Sequence, residues 1–320
     1  MLLAVLIFAV LLVAVVAVAR GAYDIPVVDV LPALFGRADE TVSVVVTNIR
    51  MPRVVAAIIC GWGLSLSGLT IQSLLKNPLG SPSTLGISQG AAFGAAAAIV
   101  VFGAGVYTVT TFAFGGAVAA TLIILILSSL KRLSPEAVIL AGVALSSLFV
   151  SATILIQYLA TETQLAMVVF WTFGDVARPN WSEIGLLAGT VLFVSFYLTT
   201  KRWDLNALAS GEQAARGLGV NVDRVRFSGM VAVSLVSALA TAFHGVIAFV
   251  GLIAPHMARR LVGDDHRLLI PFSSVLGALL LLTADTLGRV LIGSGALPVG
   301  VITSFLGAPM FLYLLVRGYK

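Results

Sequence analysis

Charged residues are scarce in this chain of 320 residues. They make up 10% of the sequence, whereas soluble domains carry about 25%. Hydrophobic residues reach 59%, so the polar side chains are too few to cover a folded surface in water. The composition excludes a soluble globular protein. It predicts a membrane protein along the whole chain, with no sizeable soluble domain.

Cysteine is nearly absent as well. The single one, Cys60, lies inside an apolar run, so it cannot form an internal disulfide and is interpreted as a small core residue. The net charge is +5, but the basic residues are scattered through the loops. This distribution is better explained by the orientation of the chain in a membrane than by binding to nucleic acid. We expect no nucleic-acid partner.

Several catalytic motifs are missing too. The sequence has no G-x-x-x-x-G-K-[ST] phosphate loop, no H-E-x-x-H pair and no G-x-S-x-G elbow. Ionisable residues are almost missing from the apolar runs, and the nearest ones, His244 and Asp285, fall toward predicted outer helix ends. We therefore predict that the chain is not an enzyme. Uphill transport would need energy from another polypeptide.

Long apolar runs fill the chain instead, and a membrane-spanning helix needs ~20 apolar residues. The longer polar stretches are 23–53, 162–181 and 201–226. The predicted spans are ten: 2–19, 54–75, 84–102, 106–130, 137–159, 182–200, 227–243, 246–262, 268–292 and 299–316.

The first run has a competing interpretation as a signal peptide, because Ala17-Val18-Ala19 resembles a small-residue cleavage site. No basic residue precedes the run, however, and it is long for the core of a signal peptide. These features favour a retained first helix.

The loop charges predict the orientation. If the N-terminus is cytoplasmic, 13 of the 19 Lys and Arg residues lie on the cytoplasmic side and 6 lie outside. Cytoplasmic loops carry an excess of Lys and Arg. We expect a multi-pass protein of the cytoplasmic (inner) membrane with both termini in the cytoplasm.

A set of short segments, taken in order, resembles the FecCD-type permeases, the membrane subunits of ABC importers for ferric siderophores, haem and cobalamin. The resemblance covers residues 45–320. The segments that carry it are R-M-P-R at 50–53, S-G at 67–68, Gln72, K-N-P-L-G-S-P at 76–82, G-I-S-Q-G-A at 86–91, A-G-V-A-L at 141–145, F-W-T-F-G at 170–174, F-V-G-L-I-A-P-H at 249–256, D-H-R at 265–267, A-D-T-L-G-R at 284–289, L-P-V-G-V at 297–301 and G-A-P at 307–309.

This resemblance implies an all-α polytopic membrane protein with about ten transmembrane helices and the ABC type II importer permease fold. The whole of 1–320 is then one transmembrane permease domain within the lipid bilayer. Two copies form the translocation pathway. Two ATP-binding cassette subunits bind ATP and Mg in the cytoplasm, a substrate-binding protein docks outside, and this chain itself holds no cofactor or metal.

Three groups of site residues follow from the resemblance. Arg50, Arg53 and Arg289 are expected to be exposed outer cations that receive acidic residues of the binding protein, since guanidinium pairs with carboxylate in a bidentate manner. The alternative is anchoring by snorkelling side chains. The turn Leu133-Ser134-Pro135 would narrow the cytoplasmic exit, although Pro135 also simply suits a helix start. Pathway walls are assigned to Leu148, Val299 and Ile302.

The cytoplasmic loop at 201–226 is assigned to ATPase coupling. Its centre loosely matches the E-A-A…G pattern of ABC permeases, which implies a pair of short helices that fit a groove on the ATPase. A charged surface helix is the alternative. The coupling residues are Ser210, Gly211, Glu212, Ala214, Ala215, Arg216, Gly217 and Gly219.

The cargo remains open among an iron chelate such as a siderophore, haem, a corrinoid and a molybdate or tungstate oxyanion, in that order of preference. Two other functions compete with ABC import: a secondary carrier driven by an ion gradient, and an intramembrane enzyme, which the missing motifs disfavour. His244 could touch a metal-bearing ligand, but one histidine is not a metal site, and packing is the favoured interpretation.

Overall fold

The computed structural model describes residues 1–21, 25–131, 133–291 and 297–316. Within these ranges the regular structure is helical throughout. The helices are α1 (Leu2–Ala19), α2 (Val27–Leu34), α3 (Glu40–Leu75), α4 (Ile87–Phe102), α5 (Val106–Ser129), α6 (Pro135–Leu159), α7 (Glu162–Thr172), α8 (Trp181–Thr200), α9 (Arg202–Ala209), α10 (Glu212–Gly217), α11 (Val222–His244), α12 (Val250–Val262), α13 (His266–Leu291) and α14 (Val299–Val316).

Ten of these helices coincide with the ten predicted spans. In the described part of the chain, seven helices are long and apolar enough to cross a membrane. α4 and α14 are apolar but shorter, and α12 has 13 residues. The predicted span end at Ile292 and the predicted cytoplasmic C-terminus at 317–320 lie outside the described residues.

The second predicted span starts too late. The prediction placed its first residue at 54, whereas α3 begins at Glu40 and includes a π-helical stretch, Val45–Arg50. The two arginines at 50 and 53 suggested a loop because a charged side chain is costly in lipid. In the structure both side chains are buried against other helices, so the helix continues through them.

α3 is the central helix and packs against α11, α12 and α13. Glycines allow its close approach to two of them. A Cβ atom on Gly61 would lie 2.8 Å from the carbonyl carbon of Gly277, and one on Gly68 would lie 2.7 Å from Gly251 Cα. Small residues at helix crossings are expected in lipid, where association depends on close packing.

α12 is short because the chain before it runs through the bundle without helical structure. Gly245 and Phe249 both have positive φ, at 78° and 67°. Gly300 packs closely against this segment, since a Cβ atom at position 300 would lie 2.6 Å from the Val246 carbonyl oxygen. Non-helical backbone at membrane depth is tolerated where protein covers it, and here most of the segment is buried or half-buried.

Candidate docking and coupling sites

Four residues at the end of the bundle that is predicted to face outward form what we call the outer cluster: Arg50, Arg53, Asp285 and Arg289. Asp285, in α13, is fully buried. Arg53 of α3 donates to Asp285 Oδ1 from Nε at 2.9 Å and from Nη2 at 2.7 Å. Arg289 Nε lies 3.2 Å from Asp285 Oδ2. Two guanidinium groups on one carboxylate offset the cost of burying it.

Two arginines of the outer cluster also cover the end of α1. Arg50 Nη1 lies 2.5 Å from the Val18 carbonyl oxygen and 3.0 Å from that of Ala19, and donates to both. Arg289 Nη1 donates to Ala17 O at 2.9 Å. The last four carbonyls of a helix lack intrahelical partners, and a cation is favourable at that end of the helix dipole. The arginines therefore fix α1 to α3 and α13.

The prediction that Arg50, Arg53 and Arg289 are exposed cations is wrong. Arg50 is 5% exposed, and the side chains of Arg53 and Arg289 are 12% and 10% exposed. The reason is tertiary: the carboxylate of Asp285 and the carbonyls of α1 are remote in sequence and adjacent in the fold. The role of these arginines in docking stays a prediction.

At the other end, the predicted coupling loop forms the two short helices α9 and α10. They are separated by Ser210 and Gly211. Gly211 has a φ of 123°, a backbone conformation that glycine adopts readily and other residues rarely adopt. Ala215 is fully buried and anchors α10, so it offers no contact surface. The other predicted coupling residues reach the surface, with Leu218 exposed beside them. The small side chains leave a shallow, accessible face.

Ion pairs surround α10. Arg216 Nη2 lies 3.0 Å from Glu212 Oε1 and 3.2 Å from Asp223 Oδ2. Hydrogen bonding from Arg216, aided by Arg226, lowers the pKa of Glu212 below its ordinary value although partial burial opposes this. Hydrogen bonds to Glu212 and Asp223 raise the pKa of Arg216. Glu212 is therefore ionised at neutral pH.

Arg226, near the start of α11, was not predicted as a site residue. It is 2% exposed, and its guanidinium bridges three segments. It donates to Leu133 O at 2.9 Å, to Leu74 O at 3.3 Å and to Glu212 Oε2 at 3.2 Å. The sequence feature that could have found it is an arginine at the last position of the polar stretch 201–226, directly before a predicted span, which by itself names no partner.

The turn Leu133-Ser134-Pro135 joins α5 to α6. Leu133 has a φ of 52°, Ser134 Oγ accepts from Ala137 N at 3.3 Å, and Pro135 occupies the first turn of α6. The prediction that Pro135 starts a helix is confirmed. The role of this turn as a gate stays a prediction.

A second set of contacts ties α9 to the bundle. Asn206 Oδ1 accepts from His266 N at 2.8 Å, and Asn206 Nδ2 donates to Asp265 Oδ1 at 2.9 Å. His266 Nε2 lies 2.7 Å from Ser73 Oγ of α3. The Arg267 guanidinium holds the pKa of Asp265 well below its ordinary value. α9 is thus attached to α3 and α13, whereas α10 is joined to α11 by the ion pairs of Glu212 and Arg216 and is packed at Ala215.

A cavity of about 640 Å³ separates α10 from the turn between α5 and α6. Its lining residues are Lys131, Ser134, Glu212, Arg216, Asp223 and Arg226.

Two of the three predicted pathway residues are misplaced. Val299 is fully buried and Ile302 is 7% exposed, so both pack inside the protomer and cannot line a passage between two copies. The start of α14 lies against the segment at 245–249, which no local sequence pattern reveals. Leu148 of α6 is 61% exposed, and its role in the pathway stays a prediction.

His244 and Asp285 give no support to an ion-coupled carrier or a metal site. His244 is fully buried at the end of α11, which agrees with packing, and its Nδ1 lies 2.9 Å from Ala240 O. Its buried Nε2 has no hydrogen-bond partner among the described residues. Asp285 is held by two arginines. The described residues contain no group of three His, Cys, Asp or Glu side chains that could hold a metal ion.

Comparison with known proteins identifies relatives of the whole chain. A protein of Methanocaldococcus jannaschii named as an ABC transporter permease is 50% identical over 94% of this chain and 89% of its own length. The Fe(3+)-citrate import system permease of Bacillus subtilis is 36% identical over 98% of this chain and 95% of its own length.

A solved structure agrees with these sequences. A metal-chelate type ABC transporter in an inward-facing conformation matches with a TM-score of 0.86 and 30% identity, over 99% of this chain and 98% of that one. The sequence model of the FecCD transport family matches residues 6–317. From this match and from relatives of such identity and coverage, the chain belongs to the FecCD transport family of ABC-importer permeases.

Proposed function

We propose that this chain is one half of the translocation pathway of an ATP-driven importer. A second copy supplies the other half, two ATP-binding cassette subunits bind ATP and Mg beneath them, and a substrate-binding protein delivers cargo outside. The chain has no phosphate loop of its own, so hydrolysis belongs to the ATPase subunits. Both termini lie in the cytoplasm in this arrangement.

The observation that carries the proposal is the accessible face of α10. A six-residue helix bounded by Gly211 and Gly219 projects from the bundle and exposes Ala214, Gly217 and Leu218. Such a face fits into a groove of a partner, because small residues let the two backbones approach. α9 transmits the load to the bundle through Asn206 and His266.

Docking of the binding protein is assigned to the opposite end. The outer cluster contains three guanidinium groups and one carboxylate, which leaves an excess of positive charge. Asp175, whose Oδ1 lies 3.7 Å from Arg53 Nη2, offsets part of it. The electrostatic field of such a cluster reaches beyond the protein surface because its surroundings have a low dielectric constant. The field therefore attracts an acidic partner even when the individual arginines are not exposed.

An iron chelate is the proposed cargo. The Bacillus subtilis relative is named for Fe(3+)-citrate and the matched structure for a metal chelate. Haem, a corrinoid and a molybdate-type oxyanion are the other cargoes to test. The exposed face of α6 with Leu148 and the turn at 133–135 are proposed as pathway wall and cytoplasmic gate.

The test is purification of the tagged chain from its native membrane in mild detergent, followed by mass spectrometry and reconstitution. We expect an ATPase subunit to copurify in equal amount, and uptake of ferric citrate into proteoliposomes to need ATP and Mg and to survive an ionophore. A chain that is repeatedly isolated alone, and that drives uptake abolished by an ionophore, would contradict the proposal.

A further inference from the structure

Arg226 joins the coupling helix to the proposed gate. One planar guanidinium donates to the Leu133 carbonyl in the turn, to the Leu74 carbonyl at the end of α3 and to the Glu212 carboxylate of α10. Arginine suits this position because its donors point in fixed, divergent directions. Within the described residues, no other side-chain hydrogen bond links α10 to this turn.

The three bonds are not equally strong. Arg226 is 2% exposed, so its bonds to Leu133 and Leu74 lie in the protein interior, where breaking them leaves a buried charge without partners. The Glu212 side chain is 42% exposed, and ion pairs of this kind are weakened by water. When α10 moves, the Glu212 bond is therefore the one that opens first.

The surroundings allow α10 to move. Residues of α10 and of the turn both line the cavity of about 640 Å³, so open space adjoins the helix on that side. Gly211 and Gly219 flank the helix, both with positive φ. α9, in contrast, is fixed to the bundle by Asn206.

We propose that the Glu212–Arg226 pair is a releasable latch through which movement of α10 reaches the turn at 133–135. The latch rests on the proposed function, because the force on α10 comes from the ATPase. Arg226 acts as a positioning residue: it remains with the turn through Leu133 and follows Glu212 while the pair is closed. Without Glu212, ATP hydrolysis by a bound ATPase no longer moves the turn at 133–135.

The experiment uses the full complex in lipid nanodiscs, with one spin label per permease at Lys131→Cys. The background is Cys60→Ala; the native Cys60 is buried. The distance between the two labels is measured by pulsed electron resonance with and without ATP and Mg. The complex with the unlabelled wild-type permease, which keeps Cys60, gives the reference rate of ATP hydrolysis. The variants are Glu212→Ala and Glu212→Gln. The matched control is Asp223→Asn, because Asp223 pairs with Arg216 and not with Arg226 among the described contacts.

We expect ATP and Mg to change the label distance in the wild type and in the Asp223→Asn control. In complexes that still contain the ATPase subunit, Glu212→Ala is expected to lose this change. Glu212→Gln, which keeps an acceptor oxygen without the charge, is expected to retain part of the change.

Three results would overturn the latch. The first is a Glu212→Ala complex whose label distance responds to ATP and Mg like that of the control. The second is a wild type that hydrolyses ATP without a change in the distance between the labels at position 131. Both results leave the proposed function standing. The third is loss of the ATPase subunit from Glu212→Ala, which makes Glu212 a docking contact. A wild type with no ATPase and no paired label distance would remove the proposed function itself, and the latch with it.

Discussion

The two ends of the bundle use the same kinds of charged side chains in opposite ways. In the outer cluster, Arg53 and Arg289 are paired with a fully buried carboxylate and with helix carbonyls. At the inner end, Glu212, Arg216 and Asp223 form pairs that are almost half exposed. The outer charges join three long helices, whereas the inner charges join one short helix to its neighbours.

The difference shows how burial sets what an ion pair does. A buried pair holds its helices rigidly, because separating the charges would strand each of them in a low-dielectric interior. An exposed pair is weak and can exchange partners with water at little cost. The outer end is therefore suited to a fixed platform, and the inner end to a part that moves.

The largest effect is expected from Asp285→Asn. This change leaves Arg53 and Arg289 buried without their carboxylate, and we expect a loss of about 3–5 kcal/mol in the free energy of unfolding. Thermal unfolding of the purified protein in detergent measures it. The control Asp175→Asn removes a half-exposed carboxylate next to the same Arg53 and should shift the midpoint far less. Equal shifts in the two variants would contradict the proposed rigidity of the outer cluster.

Arg50→Met comes second. It keeps the volume of the side chain and removes both donors to Val18 and Ala19. We expect a loss of about 1.5–3 kcal/mol, the value of hydrogen bonds to a charged group. The loss should appear first as easier proteolysis near the end of α1. Arg37→Met, at an exposed position, is the control. An unchanged cleavage rate would show that α1 is held by packing alone.

Acidification comes third and should weaken the inner pairs. The pKa of Glu212 is lowered in the folded protein, chiefly by Arg216. The stability from this depressed acid is fully present above the ordinary glutamate value of 4.5 and is lost as the pH falls through the lower folded value. The difference in unfolding midpoint between wild type and Glu212→Gln should therefore be constant from pH 8 to about 5 and shrink below that. A difference that grows on acidification has the wrong sign.

Asp223→Asn should have the smallest effect. It removes one of two carboxylates from Arg216, whose side chain is 47% exposed, and exposed ion pairs contribute little to stability. We expect an unfolding midpoint within error of the wild type, and a still smaller difference at high salt. A loss as large as that from Arg50→Met would erase the contrast between the two ends.

The spans were predictable because a long apolar run has few alternatives in a chain with so little charge. The two short helices at 201–226 agree with what the family resemblance implies, and Gly211 and Gly219 flank α10. The start of α3 was not predictable from the run alone. Arg50 and Arg53 resemble loop residues until Asp285 and the end of α1 are placed beside them.

The site residues divide in the same way. Glu212 and Arg216 stand four residues apart, so their pairing follows from local helical geometry. Arg226 and Leu133 are separated by 93 positions. Val299 resembles a pore residue in the sequence, but it is fully buried, and the adjacent Gly300 lies against the Val246 carbonyl. Local patterns carry no information about such neighbours.

By itself, the sequence determined the membrane environment, the helical class, the approximate spans and the family of this protein, because each depends on composition or on motifs within short segments. The tertiary structure alone decided which arginines are buried, which wall residues face inward and which side chain connects α10 to the turn at 133–135. Those properties depend on which helices pack together and how closely. That packing is set by the fold, in which residues such as Gly68 let two helix backbones come into contact.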